Sequence, residues 1–225
     1  MNEEKTMKFK TRIRMAAILL FIPVAVFAGQ DQPVLTQLQH DWAVANYEMQ
    51  GDEQVAAFEK LIERADAAVA AQKDSAELLI WNGIIKSSFA GVKGGLGALA
   101  LVKDARKSLE TALQLNDRAL DGSAYTSLGT LYYQVPGWPV GFGSDKKAVE
   151  LLHKALEINP DGIDPNYFYA DYLLRKKQYE EAEQYLLKAQ QAAPRPDRPV
   201  ADEGRQQEIL AALSLTREKL HRAGG

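Results

Sequence analysis

Two segments decide the fold: Ala148-Val-Glu-Leu-Leu-His-Lys-Ala-Leu-Glu-Ile-Asn-Pro160 and Ala182-Glu-Gln-Tyr-Leu-Leu-Lys-Ala-Gln-Gln-Ala-Ala-Pro194. Ala148, Leu152, Ala155 and Pro160 recur as Ala182, Leu186, Ala189 and Pro194, each at an offset of 34 residues, and that period belongs to a repeating helix hairpin. The stretch before each segment supplies the partner helix. Tyr125, Leu128, Gly129 and Tyr132 precede the first, and Ala170 and Leu173 precede the second. Antiparallel helices approach to about 8–10 Å only where the contact residue is small, which suits Gly129, Ala148, Ala155, Ala170, Ala182 and Ala189. Tyr132, Leu152 and Leu186 fill the remaining space. Each hairpin covers part of its own apolar face, so a neighbouring hairpin must cover the rest. Asp164-Pro165 reads as an N-cap followed by proline at the first helical position, and Asn159-Pro160 as a stop.

The same unit extends outward in both directions. Asp74-Ser75-Ala76-Glu77 has the spacing of a capping box and opens a helix from Ala76 to about Phe89. Gly83 holds the small position, and Ala105, Leu109 and Ala112 mark the partner helix. Between them, Gly91-Val-Lys-Gly-Gly-Leu-Gly97 predicts a flexible or tightly turned loop. A second enlarged turn, Pro136-Gly-Trp-Pro-Val-Gly-Phe-Gly143, adds about seven residues relative to the uninterrupted repeat. Helical spacing over Val34–Gln50 and Glu53–Ala71 gives a degenerate first repeat. After Pro194, Arg195-Pro-Asp-Arg-Pro199 reads as a stiff linker. A helix over Ala201–Arg222 follows, with Ile209, Leu210, Leu213 and Leu220 inward and Arg205, Glu208, Arg217 and Lys219 outward, the pattern of a capping helix. The expected architecture is an all-α solenoid of three to four helix hairpins with enlarged inter-helix loops and a C-terminal capping helix.

Three segments result: a leader at 1–28, a helical repeat domain at 29–194, and a linker with its capping helix at 195–225. In the leader, Lys8, Lys10, Arg12 and Arg14 precede an apolar run from Met15 to Ala28 that is short for a bilayer span and ends in Val-Phe-Ala. This is the pattern of a secretory signal cleaved after Ala28, with a retained membrane anchor as the alternative. The expected location is periplasmic or secreted, without stable membrane insertion after cleavage. The chain has no cysteine, so it gains no disulfide and offers no thiol for acylation. A net charge of −3 and a pI near 5.7 give no basic footprint for nucleic acid.

No catalytic apparatus is visible. Gly95-Leu-Gly-Ala-Leu-Ala100 fits a relaxed dinucleotide fingerprint, but that motif requires a preceding strand, and here a helix precedes it. His40, His153 and His221 have no second ligand at metal spacing. The chain therefore reads as no enzyme, with no cofactor and no metal. The sharpest candidate for binding is the aromatic loop. Trp138 and Phe142, set among prolines and glycines, either pack against Tyr132 and Tyr133 or form the lip of a binding site.

The pattern from Ala76 to Pro194 resembles the tetratricopeptide repeat family, with small and large residues at the family positions through both copies. The resemblance implies a right-handed superhelix whose concave face, built by the first helix of each hairpin, binds another protein or peptide. The inner positions it implies are Glu77, Ile80 and Ile84; Thr126, Thr130 and Tyr133; and Asp164, Tyr167, Asp171 and Arg175. Members that clamp a peptide carboxylate use Lys and Asn there, and this chain does not. The candidate binding residues are thus Ile80, Ile84, Tyr133, Trp138, Phe142, Tyr167, Asp171 and Arg175. The two enlarged hairpins also look like the exported T component of TRAP solute transporters, lipoproteins that pair with a solute-binding protein and enclose an apolar channel. The absence of cysteine departs from that group. The sequence thus points to a non-catalytic adaptor holding a periplasmic protein or peptide, with an apolar small-molecule carrier or transporter accessory as the alternative.

Overall fold

The computed structural model describes residues 31–223, and the leader read at 1–28 lies outside them. The described residues form helices and no strands. α1 (Asp31–Tyr47) pairs with α2 (Gly51–Ala71), α3 (Ala76–Lys93) with α4 (Gly95–Leu115), α5 (Ser123–Gln134) with α6 (Asp145–Ile158), and α7 (Ile163–Arg175) with α8 (Tyr179–Gln190). A long last helix, α9 (Pro199–Ala223), packs on α8 and α7. The fold is an all-α solenoid of four hairpins.

The small-residue rule holds each hairpin together. A Cβ at Gly83 would lie 2.6 Å from Leu109 Cγ, and one at Gly129 would lie 2.9 Å from Leu152 Cγ. Ala105, Leu109 and Ala112 face Gly83 fully buried, as Ala148, Leu152 and Ala155 do opposite Gly129. The same layer recurs in the last hairpin, where Ala170, Ala182, Leu186 and Ala189 are inaccessible to solvent.

Several local expectations are corrected. Of the two readings of Gly91–Gly97, the tight turn holds, with Gly94 and Gly95 at φ +60° and +64°, and the flexible loop does not. Gly91 lies inside α3, Gly95 and Gly97 lie inside α4, and Gly94 alone separates the helices with φ +60°. Glycine weakens a helix by about 1 kcal/mol per position, but Leu99, Leu101 and Val102 pack into the core along this extension, and that burial prevails. The hairpin is enlarged by longer helices. The second insertion is a true loop, tied down by hydrogen bonds from Gly143 N to Pro136 O (3.0 Å) and from Ser144 N to Tyr132 O (2.8 Å). Ser75, one residue later than the capping box places it, is the cap of α3 and accepts from Leu78 N. Gly162 precedes α7, so Pro165 sits in its first turn and Asp164 is no cap. Its carboxylate is engaged elsewhere.

The largest correction concerns the C-terminal segment. Arg205, expected in solvent, is 7% exposed, whereas Leu210, expected inside, is 54% exposed. The reason is that α9 packs on two bodies at once. Ile209 and Leu213 join the cluster of Ile163, Ala170, Leu186 and Ala189, as a capping helix should. Its first turn turns back to α1, where Ala201 and Val200 join the cluster of Leu38, Trp42 and Trp81. Gly204 lies against Tyr47 so closely that a Cβ would fall 2.3 Å from its Cγ. The last helix therefore bridges the first hairpin and the fourth.

Overpacking a helix crossing costs about 1–3 kcal/mol. Gly129→Val should lower stability by about that much, read as a drop in the urea midpoint. Gly91→Ala, whose Cβ would meet nothing within 4 Å, should leave the midpoint unchanged or raise it, by up to about 1 kcal/mol.

Candidate functional site

Closure by α9 turns the concave face into a cavity of about 360 Å³. Its walls come from the first helix of every hairpin: Trp42 and Tyr47 from α1, Trp81, Ile84 and Ser88 from α3, Thr126, Ser127 and Thr130 from α5, and Tyr167, Asp171 and Arg175 from α7. Arg198, Arg205 and Glu208 complete it from the C-terminal side, and no wall residue comes from α2, α4, α6 or α8. Hairpin geometry explains this, because second helices lie on the outside of a superhelix.

The C-terminal wall is held by a charge network centred on Asp164. Arg195 Nη1 donates to Asp164 Oδ2 at 2.7 Å, and Arg205 Nε donates to Oδ1 at 3.0 Å. Arg195 also reaches Asp202 through its side chain, Nε to Oδ1 at 2.7 Å, and through its backbone N–H at 2.6 Å. Arg205 donates onward to Glu208. The guanidinium of Arg205 lies over the rings of Tyr167 and Phe168, with Cζ 4.4 and 4.5 Å from their centroids. The run Arg195–Pro199 is therefore a fastened strap, and the linker reading is corrected.

Protonation follows from this geometry. Burial works to raise the Asp164 carboxyl, but Arg205 and Arg195 outweigh it and hold the group well below the usual carboxylate range. Burial pushes Glu208 up, against the opposing pull of Arg205. Burial first, and then the charge of Glu208, push the Tyr167 phenol to about 12. Burial also raises Tyr47.

The sequence candidates fall into three places. Ile84, Tyr167, Asp171 and Arg175 line the cavity. Tyr133 is not part of the lining but is tied to it, donating its hydroxyl to Asp171 at 2.7 Å with Arg175 resting 5.1 Å from its ring centroid. Ile80, Phe142 and Trp138 lie elsewhere. Ile80 is fully buried in the cluster with Ala105 and Leu109, so it is core. Phe142 folds onto Tyr132, ring centroids 5.5 Å apart, under the guanidinium of Arg106. Trp138, 90% exposed, forms no part of the cavity wall. The aromatic loop thus divides its two readings, Phe142 packing on its own hairpin and Trp138 projecting into solvent.

Sequence reasoning missed Arg195, Arg198, Arg205 and Trp42. A signal for them was present. Gly204 in mid-helix marks a close backbone approach, and three arginines within eleven residues of a proline-rich strap suit a buried carboxylate. Among the described residues no group of acidic, histidine or cysteine side chains is placed to hold a metal ion, and no helix is long and apolar enough to cross a membrane.

The fold and its inward wall of first helices define the class: a helix-hairpin solenoid with a concave inner face. Residues 146–202 match the family model of the tetratricopeptide repeat. Over those residues the chain is similar to tetratricopeptide repeats. Two solved structures, each described as a crystal structure of MamA, are similar to it. One has 18% identity and a TM-score of 0.43, covering 75% of this chain and 92% of that one. The other has 17% identity and a TM-score of 0.42, covering 85% and 95%. No curated protein matches the chain at a significant level.

Removing one partner of a buried ion pair is strongly destabilising, and the half-buried setting of Asp164 (28% exposed side chain) reduces the effect. Asp164→Asn should lower stability at pH 7 by about 2–4 kcal/mol. Because the native pKa is depressed, this contribution is complete above the unfolded value of about 3.9 and fades as pH falls through the native one. The gap between the thermal melts of wild type and variant should begin to narrow only below about pH 4 and go on closing as the pH is lowered further.

Proposed function

We propose that this chain is an exported, non-catalytic binding module that holds a short segment of a protein partner in the cavity between its first helices and α9. The observation that carries this reading is the composition of the wall. Every hairpin contributes its first helix to a single space, as expected where repeats build a concave interaction surface. The occupant is an extended segment or chain end, since a helix about 10 Å across requires more room. Ser88 accepts from the Trp42 indole N–H at 2.9 Å, and Thr130 donates to Thr126 O at 2.8 Å, so part of the polar lining is satisfied before any ligand arrives. The wall is thereby ordered in advance, which reduces the entropy lost on binding.

A second reading, a carrier of a small molecule or a transporter accessory of that kind, draws on the volume, which falls within the range of about 300–1,000 Å³ typical of small-molecule sites. The mixed lining of hydroxyls, aromatic rings and charges favours a polar or amphipathic occupant over an apolar one.

Export supplies the setting, with the leader removed after Ala28. Native mass spectrometry of the chain purified from its host should show a mature form beginning at Gly29 together with a stoichiometric protein or peptide. A bound small molecule without protein would move the second reading to first place. Ser127→Trp, which fills the cavity from α5, should reduce retention of the occupant at least tenfold, whereas Trp138→Ala should not change it. Equal retention by wild type and Ser127→Trp would remove the cavity as the site.

A further inference from the structure

The cavity holds three guanidinium groups, and two of them are paired. Arg175 lies 3.7 Å from Asp171, and Arg205 is shared between Asp164 and Glu208. Arg198 takes part in no ion pair among the described residues, and its Nε is buried without a hydrogen-bond partner. The carboxylates that could have served it are engaged, Asp164 by Arg195 and Arg205 and Asp202 by Arg195. Buried charges are ordinarily paired and hydrogen-bonded. An arginine left over in a ligand-sized cavity is therefore a group whose partner comes from outside.

Arg198 is held in place for that purpose. Its Cζ rests 4.9 Å from the centroid of the Trp81 ring. A guanidinium lying on an aromatic face keeps its N–H donors in its own plane, free for a planar acceptor. Its backbone is fixed at both ends, with Arg198 N donating to Arg195 O at 2.9 Å and Arg198 O accepting from Asp202 N at 3.0 Å. Burial and the neighbouring Arg195 disfavour its charge, and Asp164 and Asp202 partly restore it. A bound anion would act in the same direction as those two carboxylates.

We propose that Arg198 is the anchor of the cavity's ligand and that the group it binds is a carboxylate. This rests on the reading of the cavity as the binding site. The choice of anion follows from the walls. One unpaired cation faces a space that Asp164, Asp171 and Glu208 also line, so a monoanion is accommodated and a dianionic phosphate is repelled. A planar carboxylate also matches the two parallel N–H donors of a guanidinium edge. The carboxylate is either the free end of a peptide or that of a small organic acid, and its body lies toward Trp42 and Ile84.

The test compares acids with their amides on the full chain, by titration calorimetry and tryptophan fluorescence. The probes are 3-phenylpropionate, 3-phenylpropionamide, and a pool of random hexapeptides with free or amidated C-termini. At least one acid should bind, shifting tryptophan emission, and its amide should bind at least tenfold more weakly. Preference for the peptide pool assigns the source to a chain terminus, and preference for 3-phenylpropionate to a small acid. Arg198→Gln should erase the difference between acid and amide, and Arg198→Lys should restore part of it. Equal binding of acid and amide, or no binding of any acid, overturns the assignment, and this comparison needs no variant to fold. If Ser127→Trp abolishes binding while acid and amide bind alike, the cavity stands and Arg198 is not its anchor. If binding survives Ser127→Trp, the cavity reading itself fails.

Discussion

The carboxylate of Asp164 accepts from two arginines that lie ten positions apart in the chain, and the path of everything after Pro194 depends on that grip. Arg195 carries the strap inward beside α7, and Arg205 fixes α9 across the concave face. Moving these groups out of water is unfavourable and is offset only when several hydrogen bonds converge. The convergence is visible: Asp202 meets Arg195 through side chain and backbone, Glu208 meets Arg205, and two aromatic rings lie beneath the Arg205 guanidinium. A hydrophobic surface could have held α9 in place, but a directional charge cluster also defines its rotation. That rotation places Gly204 against Tyr47 and leaves Arg198 over Trp81.

The hairpins were legible because their signal is periodic and local. Ala148, Ala155, Ala182 and Ala189 occupy the crossings at the spacing their positions demand, and burial confirms each. The inner face was partly legible for the same reason, since one helix register places Thr126 and Thr130, and another Tyr167, Asp171 and Arg175. Ile80 shows the limit. On α3 it lies one turn before Ile84, and a small rotation of the helix toward α4 moves it from wall to core. The flexible-loop reading of the glycine run from Gly91 to Gly97 failed because propensity describes an isolated segment, whereas the contacts of Leu99 and Val102 decide the folded one.

The closure was not legible from hydrophobic pattern. A helix that buries one stripe shows a clear apolar face, but α9 buries Val200 and Ala201 against the first hairpin and Ile209 and Leu213 against the last. Its two faces blur into one weak pattern, and Arg205 then reads as solvent-facing. The wall residues Arg198 and Trp42 are far apart in sequence and meet only through this tertiary return. No local rule brings them together.

A linear array of repeats can form step by step, each hairpin completing itself on the one before. This array has a last piece that touches the first, so its cavity lacks a wall until residues beyond Arg198 have been made and docked. Chains grow from the N-terminus, and a truncated product would have hairpins but no enclosed space. A ligand held between both walls would therefore need α9 to be docked, a dependence that an open superhelix of the same repeats would not have.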